Sequence, residues 1–393
     1  MQLLKQKRFV RGWFAVPLLA FAVSSAFAQE DEQRKRFKHE KHGAIVFATG
    51  EDYELKCDIY QPTSPGPHPV MLAIHGGAWR TGTKFAMFRH ARILANRGYV
   101  VMSFNYRLAP EHKWPAQIHD CKHAVRWIRE HAKEYDADPD FVYAFGYSAG
   151  GHLASMLATT DSDDGFEGDP QEPYAKHSTR IQGLIAGGSP MEFSWLTEDS
   201  TTLKYWLDAT PTSDSEKYLN ASPTTFITAD DPPAVVFHGT SDGLVPTASP
   251  KTFVQRCREA NIETELILSP TGHVGAFSQT SLLIESLEKL QAMLAKEKCK
   301  TKIASIVDLI VAFKQANQRF PESIGELSTF ATQAKNMKSA TFDEAMLNER
   351  DGKPFEIDWI AKRSPVVSEA IGVAGKKLSS EKEKIEAPAE TDK

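Results

Sequence analysis

A serine lies between two glycines in a setting that suits nucleophilic chemistry. The segment Gly146-Tyr147-Ser148-Ala149-Gly150 follows residues 141–145, an apolar run typical of a buried strand, and precedes a helix-like pattern. A serine hydroxyl is a weak nucleophile at neutral pH, so it must be presented on a tight turn where a base can reach it. Flanking glycines permit such a turn. So short a motif also arises by chance. The prediction for Ser148 therefore depends on further motifs elsewhere in the chain.

A glycine-rich segment follows another apolar run. Residues His75-Gly76-Gly77-Ala78-Trp79 come directly after residues 70–74. An ester under attack develops negative charge on its carbonyl oxygen, and glycine-rich backbone can turn amide hydrogens toward that charge. The amides of Gly77, Ala78 and Ala149 are therefore predicted to form an oxyanion hole. The alternative is a plain turn, and in either case His75 is expected to support the loop rather than to react.

A serine nucleophile needs a base and an acid that orients the base. Of the 13 histidines, only His273 lies after the acid that suits the order serine, acid, histidine. That acid is Asp242, just past an apolar run, and both residues fall where loops leave the carboxyl ends of parallel strands. Asp230 and Asp231 precede the same run, so they are expected at its opposite end. The sequence thus predicts a triad of Ser148, Asp242 and His273.

Short apolar runs alternate with longer amphipathic segments between about residues 43 and 270. This alternation predicts strands joined by helices in a mostly parallel sheet. The predicted strands are residues 45–48, 53–60, 70–74, 99–105, 141–146, 181–186, 234–238 and 263–268, and the predicted helices are residues 85–96, 116–134, 150–158, 250–260 and 279–294. The first two strands lack a helix-length connection, so we expect an antiparallel edge. Eight strands in this order indicate an α/β-hydrolase fold.

Residues 194–231 interrupt this alternation. The segment is polar, with aromatic side chains scattered through it: Trp195, Tyr205, Trp206 and Tyr218. It falls between two predicted strands, where a lid or cap could be inserted, and long insertions in a compact fold are more often functional than idle. A surface excursion with one short helix is the equally weighted alternative.

The N-terminal residues have the pattern of a signal peptide. Ala26-Phe27-Ala28 offers small residues at the positions that a signal peptidase reads, after an apolar run over residues 13–27. Four cations precede that run: Lys5, Lys7, Arg8 and Arg11. We expect cleavage after Ala28, a secreted or periplasmic protein, and no membrane span in the mature chain. A membrane anchor is disfavoured because the run is shorter than the roughly 20 residues that a span requires.

The C-terminal part of the chain changes composition. A lysine-rich stretch near residue 299 is expected to link the catalytic domain, residues 29–299, to a small C-terminal domain over residues 300–375 whose role the sequence leaves open. Helical spacing over residues 303–313 and a hairpin signal near residue 351 predict a small α/β or helical appendage. Residues 376–393 have almost nothing to bury, so we expect disorder there.

Composition excludes several classes of protein. Four cysteines in 393 residues do not make a disulfide scaffold, and a net charge of −5 provides no field for nucleic acid. Three of the cysteines have apolar neighbours and are expected to be buried free thiols: Cys57, Cys121 and Cys257. No Cys-x-x-Cys or His-x-x-x-His spacing supports a metal site. The oligomeric state stays open.

These motifs together resemble the α/β-hydrolase family of serine esterases. The resemblance rests on residues 75–79, Asn105-Tyr106-Arg107-Leu108-Ala109-Pro110, the serine motif, Asp242 and His273, and it covers about residues 43–298. Within that superfamily the chain is similar to bacterial feruloyl and acetyl-xylan esterase-like proteins and, next to them, to the hormone-sensitive-lipase-like carboxylesterases. The resemblance implies hydrolysis of carboxylic esters through an acyl-enzyme, without metal or cofactor, and acetylated or feruloylated polysaccharide is a candidate substrate.

Two rival functions stay open at this point. The His-Gly-Gly-x-Trp loop also resembles that of kynurenine formamidases, so the bond cleaved could be an amide. A non-catalytic binding protein on the same scaffold is the second alternative, although all three triad residues are present. Trp79 and Tyr147 are candidates for contacts with the substrate. Trp79, Trp195 and Trp206 could line a sugar or aryl subsite, or each could equally belong to the core.

Overall fold

One eight-stranded sheet organises the part of the protein that the structure describes, residues 37–297 of a computed structural model. Its strands lie in the order β1-β2-β4-β3-β5-β6-β7-β8. Their bounds are β1 His39–Thr49, β2 Glu54–Pro62, β3 His68–Ile74, β4 Val100–Phe104, β5 Ala137–Tyr147, β6 Gly183–Gly187, β7 Ala234–Gly239 and β8 Thr264–Ser269. All eight strands predicted from the sequence are confirmed.

Strand direction follows the lengths of the connections. β1 pairs with β2, and β2 with β4, in antiparallel register, whereas every pairing from β4 through β3 to β8 is parallel. The predicted antiparallel edge is therefore confirmed. The interior strands β4, β6 and β7 are buried along their whole length, which is why they appear in the sequence as continuous apolar runs rather than as alternating ones.

Helices lie between the parallel strands, and two more follow the last strand. They are α1 Phe88–Ala95, α2 Ala116–Glu130, α3 Ala149–Thr159, α4 Lys204–Leu207, α5 Ser215–Asn220, α6 Ala248–Glu259, α7 His273–Ser278 and α8, residues 280–297. The predicted helices at residues 85–96 and 116–134 each comprise an α-helix and a 3-10 turn, Lys84–Met87 before α1 and Ala132–Tyr135 after α2. The short helix α7 was not predicted, because six residues are too few to show a helical period.

β5 begins four residues earlier than the sequence indicates. Its first half contains Asp138, Pro139 and Asp140, which are typical of a turn, yet Ala137 and Asp138 pair with the start of β3. The apolar half of β5 then runs through the middle of the sheet and ends at Tyr147, directly before the predicted nucleophile. The centre of the sheet therefore presents Ser148 at its carboxyl edge.

The insertion, residues 194–231, contains two short helices, α4 and α5, and a 3-10 turn, Pro223–Thr225. Its Trp206 is fully buried and belongs to the hydrophobic core of the domain. Trp206 therefore fixes the insertion to the core. A segment that only crosses the surface would have no such buried residue. Whether it moves as a lid stays a prediction.

The chain divides into two units, Met1–Leu287 and Glu288–Lys393, and the whole sheet belongs to the first. The predicted signal peptide, the C-terminal domain over residues 300–375 and the tail over residues 376–393 lie outside the described residues. Within residues 37–297, no helix has the length and apolar character that crossing a membrane requires.

Candidate active site

Ser148 stands on a strained turn between β5 and α3. Its backbone has φ 56° and ψ −124°, a region that non-glycine residues rarely occupy and that structures retain chiefly at functional sites. A Cβ on Gly146 would lie 2.0 Å from the carbonyl oxygen of Gly150, and one on Gly150 would lie 2.1 Å from that of Ile74. Only glycines therefore fit beside this serine, and the geometry agrees with the predicted nucleophile turn.

His273 and Asp242 form a direct pair. Nδ1 of His273 lies 2.6 Å from Oδ2 of Asp242. Because a carboxylate can only accept, Nδ1 carries the proton and Nε2 is left as an acceptor, which is the tautomer that a general base needs. The Asp242 side chain is completely buried, whereas that of His273 is 13% exposed. The imidazole is thus partly open to solvent while its partner is shielded from water.

Backbone amides surround the other side of the Asp242 carboxylate. Its Oδ1 accepts hydrogen bonds from the amides of Leu244 and Val245, each at 2.9 Å. Burial raises the pKa of Asp242, but the hydrogen bonds from Val245, His273 and Leu244 outweigh it, so the pKa lies below its ordinary value. Asp242 is therefore ionised throughout the neutral range and can stabilise a positive charge on His273.

The residue before Ser148 contacts the loop that carries His273. The hydroxyl of Tyr147 donates a hydrogen bond to the carbonyl of His273 at 2.5 Å, which joins the nucleophile turn to the loop of the base. Among residues 37–297, the Ser148 hydroxyl has no hydrogen-bond partner. The structure thus brings Asp242 and His273 into contact and joins the turn of Ser148 to the loop of His273 through Tyr147, and the approach of Ser148 to His273 and the proton transfer between them stay predictions.

The oxyanion loop, residues 75–79, packs directly against the serine turn. A Cβ on Gly76 would lie 3.1 Å from Cβ of Ser148, and Gly77 has φ 119°, where a Cβ would collide with the carbonyl of Thr81. Within the described part of the chain, the amides of Gly77, Ala78 and Ala149 donate to no other residue. Unpartnered amides beside a nucleophile are what an oxyanion hole requires.

The family assignment follows from a match that spans this site. The BD-FAE family model matches residues 57–257, just over half of the chain. The chain belongs to the BD-FAE family. The matched range contains the oxyanion loop, Ser148 and Asp242, whereas His273 lies beyond its end. The resemblance predicted from the sequence motifs is confirmed.

Individual proteins are similar over part of the chain. The probable carboxylic ester hydrolase LipM of Mycobacterium tuberculosis is 35% identical over 206 residues, which cover 50% of this chain and 46% of LipM. The chain spans about half the length of the curated relatives it matches.

Solved structures show the same architecture. A bifunctional GH43-CE protein of Bacteroides eggerthii aligns with a TM-score of 0.57 and 28% identity, covering 64% of this chain and 38% of that protein. The butyrate-bound esterase Est2 of Thermogutta terrifontis aligns with a TM-score of 0.53 and 25% identity, covering 67% of this chain and 94% of Est2. These likenesses confirm the predicted α/β-hydrolase fold of this BD-FAE protein.

His75 supports the oxyanion loop of this BD-FAE protein from within the core. Its ring is fully buried and stacks on Tyr106, with ring centroids 4.2 Å apart, and its Nδ1 donates to the carbonyl of Gly76. Burial lowers the pKa of His75 to about 4, so the ring is neutral at physiological pH. Tyr106 in turn donates to the carbonyl of His75 at 2.9 Å. These contacts give His75 the supporting role that the sequence suggests.

The two candidates for substrate contact are both buried. Trp79 is 3% exposed and stacks on Trp206, and its Nε1 donates to Nδ1 of His152 at 3.2 Å. Tyr147 is 4% exposed and is engaged with His273. Both side chains contact protein groups here, so their contact with a substrate stays a prediction.

The rival acids lie away from the site. Asp230 and Asp231 pair with Arg180 before the start of β7, at the opposite edge of the sheet from His273. Burial raises the pKa of Asp231 to about 6. A second histidine, by contrast, lies near Asp242: the fully buried His238 is 3.6 Å from it and donates through Nε2 to the carbonyl of Val245. His238 therefore helps to hold the loop that carries Asp242.

Three contacts between the insertion and the site were missed by the sequence analysis. Tyr205 donates to the carbonyl of Ala78, Trp206 stacks on Trp79, and the carbonyl of Ala221 accepts a hydrogen bond from His152, on the helix that follows Ser148. More than 60 residues separate the members of each pair, and no period or motif links them. The only sequence feature that pointed to these contacts was the presence of aromatic residues in the insertion, and it did not indicate their partners.

The described residues bear on the predictions for metal ligands and for cysteines. Within residues 37–297, no group of three or more His, Cys, Asp or Glu side chains could hold a metal ion. Cys57, Cys121 and Cys257 are buried free thiols, as predicted, and burial raises the pKa of Cys57 to about 12. Cys299 lies outside the described residues.

Proposed function

We propose that the protein is a serine carboxylesterase that uses Ser148, His273 and Asp242. The observation that supports this most directly is the pair of Asp242 and His273 at 2.6 Å, together with a serine on a strained turn at the end of β5. The curated relative LipM is named a probable carboxylic ester hydrolase, and Est2 is an esterase. Both names agree with the chemistry that these residues can perform.

The first half of the reaction forms an acyl-enzyme. Ser148 Oγ attacks the carbonyl carbon of the ester while Nε2 of His273 accepts the hydroxyl proton. The ionised Asp242 stabilises the imidazolium that results. His273 then gives this proton to the oxygen of the leaving alcohol, and the acyl group stays bound to Ser148.

The second half releases the acid. Water attacks the acyl carbon, His273 accepts its proton and returns it to Ser148 Oγ, and the carboxylic acid departs. In both halves negative charge develops on the carbonyl oxygen, and the amides of Gly77, Ala78 and Ala149 are available to bind it. Because they have no other partner, they need little reorganisation when the charge appears.

The proposed substrate is an ester on a polysaccharide, with an acetyl or feruloyl acyl group. Support comes from the motifs shared with feruloyl and acetyl-xylan esterase-like proteins and from the structural likeness to a bifunctional GH43-CE protein. Export to the periplasm or medium, expected from residues 1–28, would bring the enzyme to such a polymer. The butyrate bound in the Est2 structure is a short carboxylate, which agrees with a short acyl group.

The test of the proposal is turnover of p-nitrophenyl acetate by wild type and by Ser148→Ala. We expect kcat to fall at least about a thousandfold, because the residual rate of such a variant comes from binding and the oxyanion hole alone. Ser162→Ala, which changes an exposed serine of a surface turn, is the matched control and should keep the wild-type rate. Equal rates for wild type and Ser148→Ala would remove Ser148 from the mechanism.

A substrate panel separates the proposed function from its rivals. Acetylated xylan, feruloylated arabinoxylan and N-formylkynurenine are compared as substrates of the wild-type protein. The proposal expects release of acetate or ferulate at a higher kcat/KM than hydrolysis of the formamide. Faster cleavage of N-formylkynurenine would make the protein an amide hydrolase. Binding of xylan without turnover of any ester would indicate a non-catalytic binding protein.

A further inference from the structure

The oxyanion loop has a backbone conformation that it would not keep unaided. Ala78 has φ 52° and Trp79 has φ 57°, so two consecutive residues with side chains lie in the left-handed region. That region costs free energy for any residue with a Cβ, and such conformations persist only where the surroundings enforce them. A change of either residue to an ordinary φ would rotate the adjoining peptides and turn the Ala78 amide away from the site.

Tyr205 of the insertion holds this loop by its backbone. Its hydroxyl donates a hydrogen bond to the carbonyl oxygen of Ala78 at 2.7 Å. Burial raises the pKa of Tyr205, so the hydroxyl stays protonated and able to donate. The guanidinium of Arg80 lies over the Tyr205 ring, 5.1 Å from its centroid, and helps to fix the ring's position. The bond thereby restrains the peptide between the two strained residues.

The next residue, Trp206, fixes the backbone of Tyr205 to the hydrophobic core. Trp206 is fully buried and lies parallel to Trp79, with ring centroids 3.8 Å apart and an angle of 1° between the planes. Its Nε1 donates to Oε1 of Gln117 at 2.9 Å, and its carbonyl accepts from the amide of Trp114 at 3.1 Å. Tyr205 therefore extends from a fixed point of the core, so its hydroxyl can restrain the loop and not merely follow it.

We propose that Tyr205 is a positioning residue that keeps the Ala78 amide directed at the developing oxyanion, so that the insertion completes the oxyanion hole. This inference rests on the proposed function. Tyr205 acts through Ala78 and touches no reacting atom. Because the oxyanion is charged in the transition state and not in the ester, removal of the hydroxyl should lower kcat and leave KM nearly unchanged.

The experiment compares Tyr205→Phe with Tyr218→Phe in the full-length protein. Each change removes one tyrosine hydroxyl from the insertion, and that of Tyr218 donates to the carbonyl of Ala209 without touching the oxyanion loop. With p-nitrophenyl acetate we expect kcat of Tyr205→Phe to fall about tenfold, less than the roughly hundredfold loss that removal of an oxyanion donor causes. KM should stay within about twofold, and Tyr218→Phe should match wild type.

A transition-state analogue gives a second readout. An alkyl trifluoromethyl ketone forms a tetrahedral adduct with the serine, and its oxygen occupies the oxyanion position. Its Ki should rise for Tyr205→Phe by about the factor lost in kcat and stay unchanged for Tyr218→Phe. Thermal melting of both variants verifies that they are folded.

Two outcomes would overturn the inference. Tyr205→Phe with kcat and Ki within about twofold of wild type would show that the hydroxyl does not position the loop. Equal losses in Tyr205→Phe and Tyr218→Phe would show a general effect of the insertion. In both cases a Ser148→Ala variant without activity leaves the proposed function intact, whereas a wild-type protein without esterase activity contradicts that function itself.

Discussion

Asp242 controls which nitrogen of His273 carries the proton. Its Oδ1 is occupied by the amides of Leu244 and Val245, so only Oδ2 faces the imidazole. In Asp242→Asn the oxygen would stay with the two amides, and the new NH₂ would donate to Nδ1 of His273. The proton would then lie on Nε2, which could no longer accept the serine proton. We expect kcat for p-nitrophenyl acetate to fall about 10⁴-fold.

The control for this change is Asp230→Asn. Asp230 also forms hydrogen bonds and an ion pair, with Arg180, but at the far edge of the sheet. Its substitution should leave kcat at the wild-type value. Retention of more than a tenth of the activity by Asp242→Asn would contradict the role of Asp242 in the triad.

At the scale of elements, Gly150 sets the distance between helix α3 and the end of β3. A Cβ at this position would lie 2.1 Å from the carbonyl oxygen of Ile74 and 2.6 Å from that of His75. Both atoms belong to the backbone, so the helix and the strand must move apart. Gly150→Ala should lower the free energy of unfolding by about 1–3 kcal/mol. It should also reduce kcat by displacing the oxyanion loop from Ser148.

Urea unfolding and steady-state kinetics of Gly150→Ala measure both effects. Gly243→Ala is the matched control, because no atom lies within 4 Å of the position that its Cβ would take. We expect Gly243→Ala to keep the wild-type stability. A Gly150→Ala protein as stable and active as wild type would show that the serine turn tolerates a wider spacing.

The elements that carry Ser148, Asp242 and His273 were predictable because each depends on a local pattern. Continuous apolar runs marked the buried strands β4, β6 and β7, and a glycine on each side of Ser148 marked the turn. Asp242 and His273 were found from their order and from their places after β7 and β8. Local patterns sufficed here because parallel strands bring their carboxyl ends to one edge whatever the loops contain.

The contacts between the insertion and the oxyanion loop could not be predicted, because they join parts of the molecule that are distant in sequence. Tyr205 and Trp206 lie in a polar segment without hydrophobic period, and their partners Ala78 and Trp79 are 127 residues away. A scattered aromatic residue in such a segment fits a subsite, a lid or the core equally well. The choice is made by packing: Trp206 fills space beneath the oxyanion loop and becomes part of the core.

The same packing makes the stability of the whole molecule depend on pH. His152 is completely buried among aromatic rings; its Nε2 donates to Ala221 and its Nδ1 accepts from Trp79. Burial lowers its pKa to about 4, whereas in an unfolded chain the value is about 6.5. Between these values the unfolded state binds a proton that the folded state excludes. Stability is therefore unaffected by this group above pH 6.5 and falls as the pH drops toward 4.

His152→Gln tests this dependence. A glutamine can donate to Ala221 and accept from Trp79, as His152 does, but it does not titrate. From pH 7 to pH 4.5, the wild type should lose about 2 kcal/mol more unfolding free energy than the variant. Urea unfolding at the two pH values measures the difference. His75, whose pKa burial also lowers to about 4, adds a loss of the same sign to both proteins, so it cancels in the comparison. Parallel losses in both proteins would mean that protonation of His152 does not limit stability in acid.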